Sequence, residues 1–467
     1  MKKQHTGALS DTFARALSAC GQRAGGAPAR MAIALSGGLD SSALLHLAHA
    51  YARAQQIALY AFHIHHGISS NADAWLAHCE GACAALGIVF EARRVALERS
   101  AKTGIEEAAR KSRYAALGAL CRAHGVTLLL SAHHQDDQAE TVLLQLLRGS
   151  GTAGMSGMDA ANAAPELLGN PELVMARPLL PVSRKQLEAY VAAHAIAHID
   201  DESNHDPRYA RNALRHQVMP VLAQAFPGFQ ERFARSAQHA QSAQRLLVEL
   251  ATQDLAACLD GECIDIGKLR LLSADRCYNL LRHWFGTRHL RMPSTAWLAE
   301  MLAQLLEARP DAQLLVTHPD CHVRRHRERL FLTPKLAELA GSRDDDDDDT
   351  PGQAFVWRGE AALAFPAYGG TLYFDPAEQG LDAAWLRGQD LMIDFRKGGE
   401  RLKLAANRPT KTLKYHYQAF DVPAWERARL PIVSTPAHVL FAAGIGMDSV
   451  HLSLDPAPRV GLRWVAD

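Results

Sequence analysis

The sequence predicts an α/β protein. A doubly wound parallel sheet occupies the first 226 residues, a mostly helical domain follows, and a small α+β domain ends the chain. Three observations carry this. From Met31 to about Arg148, short apolar stretches alternate with longer amphipathic ones, the pattern of parallel strands joined by right-handed helical crossovers. A glycine–serine loop lies between the first such strand and its helix, and doubly wound sheets collect ligands at the carboxyl ends of their strands. Beyond Pro181 the alternation stops and helical periodicity takes over.

The elements follow in order. Residues 31–35 are apolar and strand-length, residues 36–41 form a polar turn, and a helical pattern runs on to about Arg53. Residues 57–65 read as a second strand, 71–86 as a helix entered through Ser70 or Asn71, and 88–95 as a third strand. A long amphipathic helix, 105–124, lies between Gly104 and Gly125, residues that start and stop helices well. Residues 126–131 make a fourth strand, with a helix after it to Arg148. Helical stretches at 183–194, 211–226, 230–258 and 294–306 come next. The expected domains are therefore 1–226, a mostly helical 227–336, a linker at 337–352, and 353–467. The linker holds an aspartate run at 344–349, and a block of like charge is solvated rather than packed. The last domain shows short strand patterns with turns at Gly369-Gly370, Gly398-Gly399, Gly444 and Gly446.

A chain of 467 residues suggests about three cores. Its 48% hydrophobic and 21% charged residues fit a soluble globular protein. Apolar stretches such as 126–130 are far short of a bilayer span, and no apolar signal segment follows the N-terminus. Eight cysteines form no Cys-x-x-Cys pair and no zinc set, which fits a reducing, cytoplasmic setting. Lysine plus arginine equals aspartate plus glutamate. Zero net charge leaves nucleic-acid binding open, because local patches set the field.

The loop reads Ser36-Gly37-Gly38-Leu39-Asp40-Ser41-Ser42. Paired glycines allow close backbone approach, and the amide groups at the helix start favour an anion. The serines add hydroxyl donors, while Asp40 suits a magnesium ion or proton transfer rather than a pure anion nest. No lysine enters the helix, so the Walker pattern is absent. A plain strand-to-helix turn with a serine cap explains the loop equally well when it is taken alone.

Further clusters follow the other strands. His63-Ile64-His65-His66-Gly67 ends the second; a nucleotide-contacting edge fits it better than a metal site. On the long helix, Glu106, Arg110 and Arg113 share a face, either as an exposed ion-pair ladder or as phosphate-binding guanidinium groups. Ala132-His133-His134-Gln135-Asp136-Asp137 and Glu140 follow the fourth strand. Asp137 with Glu140 fits a capping box, but two histidines and adjacent carboxylates exceed what a cap requires and suit a metal or proton acceptor. The glycine-rich stretch 149–154 is expected to flex over a nucleotide. Asp200, Asp201, Glu202, Ser203 and Asn204 precede Arg208, Arg211, Asn212 and Arg215, a salt-bridged turn or an anion grip.

The loop resembles the Ser-Gly-Gly-x-Asp-Ser signature of PP-loop ATP pyrophosphatases, with all five fixed positions matched. Together with His63–Gly67, Arg110–Tyr114, Ala132–Thr141, Leu147-Arg148-Gly149-Ser150-Gly151, Arg177-Pro178-Leu179-Leu180 and Asp201-x-Ser203-Asn204 before Arg211-Asn212-x-x-Arg215, it resembles the tRNA(Ile)-lysidine synthase family over about residues 30–220. The likeness resumes at Arg396-Lys397-Gly398-Gly399-Glu400-Arg401 and at Leu413-Lys414 leading to Val422-Pro423, Trp425, Arg427 and Leu430-Pro431; Tyr415-His416-Tyr417 departs from the family's further lysine and apolar pair.

The resemblance implies an adenine nucleotide alpha hydrolase-like fold and an ATP- and Mg²⁺-dependent ligase. O2 of the wobble cytidine in a CAU-anticodon tRNA(Ile) attacks the α phosphate, and free L-lysine then displaces AMP to form lysidine. Codon reading changes from AUG to AUA. It implies nucleotide contacts from Ser36, Gly37, Gly38, Leu39, Asp40, Ser41, Ser42, His63 and Arg110. Asp40 and Asp137 are expected to hold the metal, Arg113 to stabilise phosphate charge, and His133 or Asp137 to take the amine proton. Arg208, Arg211, Arg215, Arg401, Lys403 and Lys414 are expected on the tRNA, with support from basic stretches at 322–327 and 396–403 and from Arg408 and Lys411. A homodimer is left open. A PP-loop tRNA thiolase needs a cysteine set near the loop, an ammonia-using relative needs an amidotransferase domain, and a non-catalytic nucleotide- or RNA-binding module has no use for carboxylates beside phosphate.

Overall fold

The computed structural model describes residues 2–26, 28–65, 67, 71–95, 105–200, 210–309, 314–335, 352–453 and 458–466. They form two compact units, Met1–Leu250 and Ala251–Asp467. Among the described residues no helix is long and apolar enough to cross a membrane.

The first unit is the doubly wound sheet. Helix α1 (Lys2–Arg23) precedes β1 (Arg30–Ala34), α2 (Leu39–Gln55), β2 (Ala58–His65), α3 (Ala72–Leu86), β3 (Val89–Arg94), α4 (Ile105–Ala123), β4 (Leu128–Leu130) and α5 (Gln135–Leu147). Strands β5 (Ala161–Ala163) and β6 (Val174–Ala176) complete the sheet, and α6 (Arg184–His194) follows it. The strand order is β3-β2-β1-β4-β6-β5, parallel throughout except where edge strand β5 runs against β6. Both faces are covered. Met31 and Ile33 of β1 and Leu128 and Leu130 of β4 enter one core with α1, α2, α3 and α6. Ala32 and Leu129, one residue out of phase, enter the other with Tyr114, Leu117, Leu120 and Cys121 of α4. Two-residue alternation with apolar side chains in both phases is what a sheet buried on both sides requires. Gly118 lets α4 lie directly on the helix Pro165–Leu168, since a β-carbon there would strike the Leu168 carbonyl.

The sheet turns its winding direction between β1 and β4, so the crevice between their carboxyl ends is the natural ligand position. The loop after β1 and the histidine–aspartate run after β4 both open there. A further helical stretch starts as Ala210–Ala213, widens to a π-helical turn at Leu214–Val218 and ends as Met219–Ala225. The widening precedes Pro220, whose ring cannot sit against a regular preceding turn. Helix α7 (Phe229–Cys258) follows.

For residues 227–336 the sequence predicts helices at 230–258 and 294–306 and no sheet, but the second unit opens on one. Strands β7 (Leu259–Asp260) and β8 (Cys263–Asp265) come first, then α8 (Ala274–Thr287) and α9 (Thr295–Glu307), and then β9 (Leu315–Thr317), β10 (Cys321–His326) and β11 (Arg329–Pro334). They form an antiparallel sheet in the order β7-β8-β11-β10-β9. Its strands are two to six residues long, too short to announce themselves beside strong helices. The C-terminal part is α+β as expected. One sheet joins β12 (Gln353–Phe355), β15 (Leu391–Phe395), β18 (Pro431–Ser434), β19 (Val439–Ala442) and β20 (Gly446–Met447); another joins β13 (Ala362–Phe365), β14 (Gly370–Asp382), β21 (Leu452–Ser453) and β22 (Arg459–Ala466). A small hairpin, β16 (Arg401–Leu402) with β17 (Lys411–Thr412), leads into α10 (Leu413–Ala419). The aspartate run lies outside the described residues.

Candidate active site

The cradle is built by the β1–α2 turn. Gly37 has φ +87°, and a β-carbon there would come within 2.8 Å of Ile199 Cδ1 and 2.9 Å of Cys79 Sγ, so only glycine fits. Ser41 Oγ accepts from the Gly37 N–H at 3.0 Å, donates to the Gly38 carbonyl at 3.0 Å and lies 3.0 Å from Ser36 Oγ; Ser42 Oγ donates to the Gly37 carbonyl at 3.2 Å. These hydroxyls shape the turn. Gly38 is the N-cap of α2 and supplies no side chain to its first amides, and such amides attract an anion. Behind the loop, burial pushes the Cys79 thiol up to about 12 and the Cys83 thiol up to about 11. Two protonated, buried thiols are poor nucleophiles.

Across the crevice, α5 begins with a capping box formed by His134 and Asp137: His134 Nδ1 accepts from the Asp137 N–H and Asp137 Oδ2 accepts from the His134 N–H at 3.0 Å. The alternative Asp137–Glu140 box does not form: Glu140 pairs with Arg211 and Arg215. His134 Nε2 lies 3.6 Å from Asp40 Oδ2 and 3.4 Å from Asp137 Oδ2, so one ring draws the two proposed metal carboxylates together. Burial opposes charge on His134, but Asp40, Asp137 and Asp136 outweigh it and raise its pKa. Asp137 stays ionised: burial pushes its pKa up, and His134 and Arg211 hold it below the ordinary carboxylate value. Among the described residues, no group of three or more His, Cys, Asp or Glu side chains is arranged to hold a metal. Asp40 Oδ1, however, is buried without a hydrogen-bond partner.

Other expected residues fall differently. His133 was a candidate base, but burial, with Arg177, Arg211 and Arg110 outweighing Asp137, pushes its pKa down to about 3. It is a neutral ring, 2.9 Å from Ser131 Oγ, and cannot keep an amine proton near neutral pH. His63 is buried in β2 with Nδ1 2.9 Å from the Leu35 carbonyl, and His65 pairs with Asp73 at 3.1 Å; His66 lies outside the described residues. Arg110 and Arg113 are exposed and lie 4.9 and 5.3 Å over the Tyr114 ring, with Arg110 the one whose charge reaches His133.

Arg211 and Arg215, expected on tRNA, turn inward. Arg211 donates to Glu140 Oε2 at 2.8 Å and Asp137 Oδ1 at 3.2 Å; Arg215 donates to Glu140 Oε1 at 2.6 Å and Asp137 Oδ1 at 3.0 Å. Glu140 is 2% exposed and requires those cations. Arg208 lies outside the described residues. Just beyond the glycine-rich stretch 149–154, Gln138 exchanges hydrogen bonds with both Met158 backbone groups, and Gln241 donates to the carbonyls of Ser156 and Met158.

Sequence reasoning missed Arg184. Its guanidinium lies 2.5 Å from Asp40 Oδ2, and its backbone N–H donates to Asp136 Oδ2 at 2.8 Å. Asp136 therefore anchors the start of α6, aided by Gln230 at 3.2 Å, while Asp137 is held by the His134 N–H, Arg211 and Arg215. The position of Arg184 at the first turn after the Ser183 cap was the available signal, but its partner lies 144 residues away.

In the second unit the 322–327 stretch is also committed. Arg325 is buried and donates to the carbonyls of Leu305 and Ala308, both at 2.9 Å, closing the end of α9. His326, Arg327 and Arg329 converge on Asp421 at 3.0, 2.9 and 3.3 Å. This stretch is a joint within its unit, not the open basic face expected. Arg401, Arg408, Lys411 and Lys414 are exposed and Lys403 is half-buried. His416 and Tyr417 occupy the place of the family's apolar pair: both are buried, bonded to the carbonyls of Leu402 at 2.9 Å and Ala443 at 3.1 Å.

Comparisons with known proteins agree with this organisation. Family profiles match in three places: a PP-loop domain over residues 10–222, a TilS substrate binding domain over 264–331 and a TilS substrate C-terminal domain over 391–464. The tRNA(Ile)-lysidine synthase of Ralstonia nicotianae is 43% identical over 453 residues, covering 94% of each chain. That of Burkholderia pseudomallei is 42% identical over 463 residues, covering 94% of this chain and 93% of its own. That of Alkalilimnicola ehrlichii is 39% identical over 436 residues, covering 93% of each.

Proposed function

This chain belongs to the tRNA(Ile)-lysidine synthase family, and we propose that it joins free L-lysine to C2 of the wobble cytidine of a CAU-anticodon tRNA(Ile), converting ATP to AMP and pyrophosphate. The observation that carries the chemistry is the crevice between β1 and β4: the uncapped start of α2 carries Asp40, and His134 of the facing loop lies between Asp40 and Asp137. An anion grip opposite paired carboxylates suits adenylation of an oxygen, in which a diphosphate departs from the α phosphate.

In the proposed mechanism, the α2 amides and the Ser36–Ser42 turn hold the departing pyrophosphate. Arg113 and Arg110 are the cations for charge growing on the α phosphate. The orphaned Asp40 Oδ1 fits a metal ligand, and Mg²⁺ characteristically takes one or two carboxylates beside substrate phosphates. Asp40 and Asp137 would hold it, and when bound it neutralises charge on phosphate oxygens. Arg184 fixes the Asp40 carboxylate from the opposite side. In the second step Asp137, an ionised carboxylate, orients the lysine ammonium, and the protons released as the amine displaces AMP pass to water and to the departing phosphate. Residues 1–226 carry the ATP chemistry; 227–336 and 353–467, with Arg401, Lys403 and Lys414, carry tRNA recognition. We place the reaction in the cytoplasm.

The test combines purified protein, ATP, labelled lysine and a tRNA with a CAU anticodon. Lysine enters the RNA, with one AMP and one pyrophosphate released per lysine. Release of ADP and orthophosphate, or sulfur transfer in place of lysine incorporation, overturns the reading.

A further inference from the structure

The C-terminal part of the second unit carries an aromatic ladder that the adenylation chemistry does not use. Trp385 sits in the short helix Ala383–Arg387, its backbone N–H donating at 2.7 Å to Asp382, the N-cap. Its ring is stacked on His451 with centroids 5.7 Å apart and planes 24° from parallel. His451 in turn lies 5.0 Å from His438 at 45°. Three rings from three distant stretches of chain are thus lined up. Trp385 is 37% exposed and His438 is exposed as well.

The ladder is braced against a basic segment. His451 Nδ1 is 2.9 Å from Asp448 Oδ2, and the other oxygen of that buried carboxylate accepts from the Lys403 N–H at 2.9 Å. The Ser449 N–H donates to the Lys403 carbonyl at 2.7 Å. One carboxylate therefore fixes both the ring and the backbone that ends the Arg401–Leu402 strand. Around that hairpin Arg401, Lys411 and Lys414 are exposed, and Tyr415 is exposed with Lys411 5.2 Å over its ring. Exposed ring faces beside clustered cations are complementary to single-stranded nucleic acid: bases stack on the rings while cations meet the phosphates.

We infer that Trp385, His451 and His438 form a stacking platform for an unpaired nucleobase of the RNA substrate. This rests on the proposed tRNA reaction for the identity of the RNA. Asp448 is a positioning residue that holds His451 and the Lys403 backbone in register, and the nucleotide's phosphates fall to Arg401, Lys411 and Lys414.

The test measures binding of a CAU-anticodon tRNA transcript to the full chain across a salt series, for the wild type and for Trp385→Ala, Trp385→Phe and His438→Ala. Base–aromatic contacts of ordinary strength make Trp385→Ala about tenfold or more weaker. The slope of log affinity against log salt stays unchanged, because stacking releases no counterions. Trp385→Phe keeps a ring face and stays within about threefold of wild type, and His438→Ala, at an exposed turn, weakens binding without disturbing the fold. KM for tRNA rises while kcat at saturating tRNA is unchanged. Unaltered affinity in both alanine variants overturns the inference, as does equal loss in Trp385→Phe and Trp385→Ala, or binding of an unstructured acidic protein through the same residues in place of RNA. Lysine incorporation by the wild type is scored in parallel, so failure of the proposed reaction is distinguished from failure of the platform.

Discussion

Arg211 and Arg215 lay their guanidinium groups against the buried Glu140 and against Asp137, whereas Arg401, Lys411 and Lys414 stand exposed around a two-stranded hairpin, where Arg401 donates to the Thr410 carbonyl at 3.1 Å and, among the described residues, meets no carboxylate. The difference is the acidic partner. A carboxylate that is out of water must be matched by a cation, so its arginines are committed before any ligand arrives. Cations on a solvated hairpin carry no such obligation and remain available to phosphate. A basic cluster therefore indicates an RNA face only where no buried carboxylate claims it.

The largest test of this contrast removes the claimants. Replacing Arg211 and Arg215 together by alanine leaves Glu140 buried without a cation, and breaking such a pair costs about 3–5 kcal/mol. We expect urea denaturation to show a loss of that size, together with loss of adenylation. Arg401→Ala shifts stability by no more than about 0.5 kcal/mol. A stable double-alanine variant whose main defect is a shallower salt dependence of tRNA binding would return these arginines to the RNA face and break the contrast.

Acid provides the next largest effect, at two histidines of the crevice, the half-buried His133 and the buried His134. His133, with its pKa pushed down to about 3, lies below the unfolded value near 6.5. Between those limits the unfolded chain binds the extra proton, so stability falls with acid by up to about 1.4 kcal/mol per pH unit. His134, raised by three carboxylates after burial has opposed it, has the opposite sign. Its contribution is complete below about pH 6.5 and is lost as pH rises through the folded value. Unfolding free energies measured between pH 5 and 8 should show His133→Gln flattening the acid side and His134→Gln flattening the alkaline side. Parallel curves for both variants and the wild type would show that neither ring titrates with folding.

A smaller effect belongs to the exposed hairpin. Arg401→Ala with Lys414→Ala removes two phosphate partners, so tRNA affinity falls about tenfold at moderate salt and the salt slope shrinks by about two. Stability and the rate of ATP cleavage at saturating tRNA stay as they were. An unchanged slope in binding titrations would remove this hairpin from the RNA interface.

The catalytic fold was legible because its signals are local and repeated: apolar strands with both phases buried, helix-length amphipathic segments between them, and a glycine turn at the one place where a β-carbon cannot fit. Ser36–Ser42, Asp40 and Asp137 were legible for the same reason, each following a strand whose carboxyl end must face the crevice. What could not be read was pairing across distance. Arg184 meets Asp40 from 144 residues away, and Glu140 claims Arg211 and Arg215 from beyond residue 210. His133 and His134 are chemically identical in sequence and diverge in their surroundings: burial dominates at His133, where Arg177, Arg211 and Arg110 oppose Asp137, whereas at His134 Asp40, Asp137 and Asp136 outweigh burial. The sheet of β7 to β11 stayed hidden because its strands are short and because β10 alternates Val323 and Arg325 inward, a buried arginine where an apolar residue is the normal signal.

That buried Arg325 leads to the smallest and most discriminating expectation. In the 322–327 stretch, Arg325 closes α9 while Arg327 and Arg329 share Asp421 with His326. Arg327 is well exposed and Asp421 partly so, so their ion pair sits in water, where such pairs are worth about 0–1 kcal/mol. Arg327→Ala should then cost no more than that, and because the guanidinium already faces a carboxylate it should leave tRNA affinity and salt slope unchanged. Arg401→Ala, an equally exposed arginine without a carboxylate opposite, should lose affinity in the same titration. If Arg327→Ala weakens tRNA binding as much as Arg401→Ala does, the presence of a carboxylate partner is not what separates structural from RNA-binding arginines in this protein, and the joint at Asp421 opens when RNA binds.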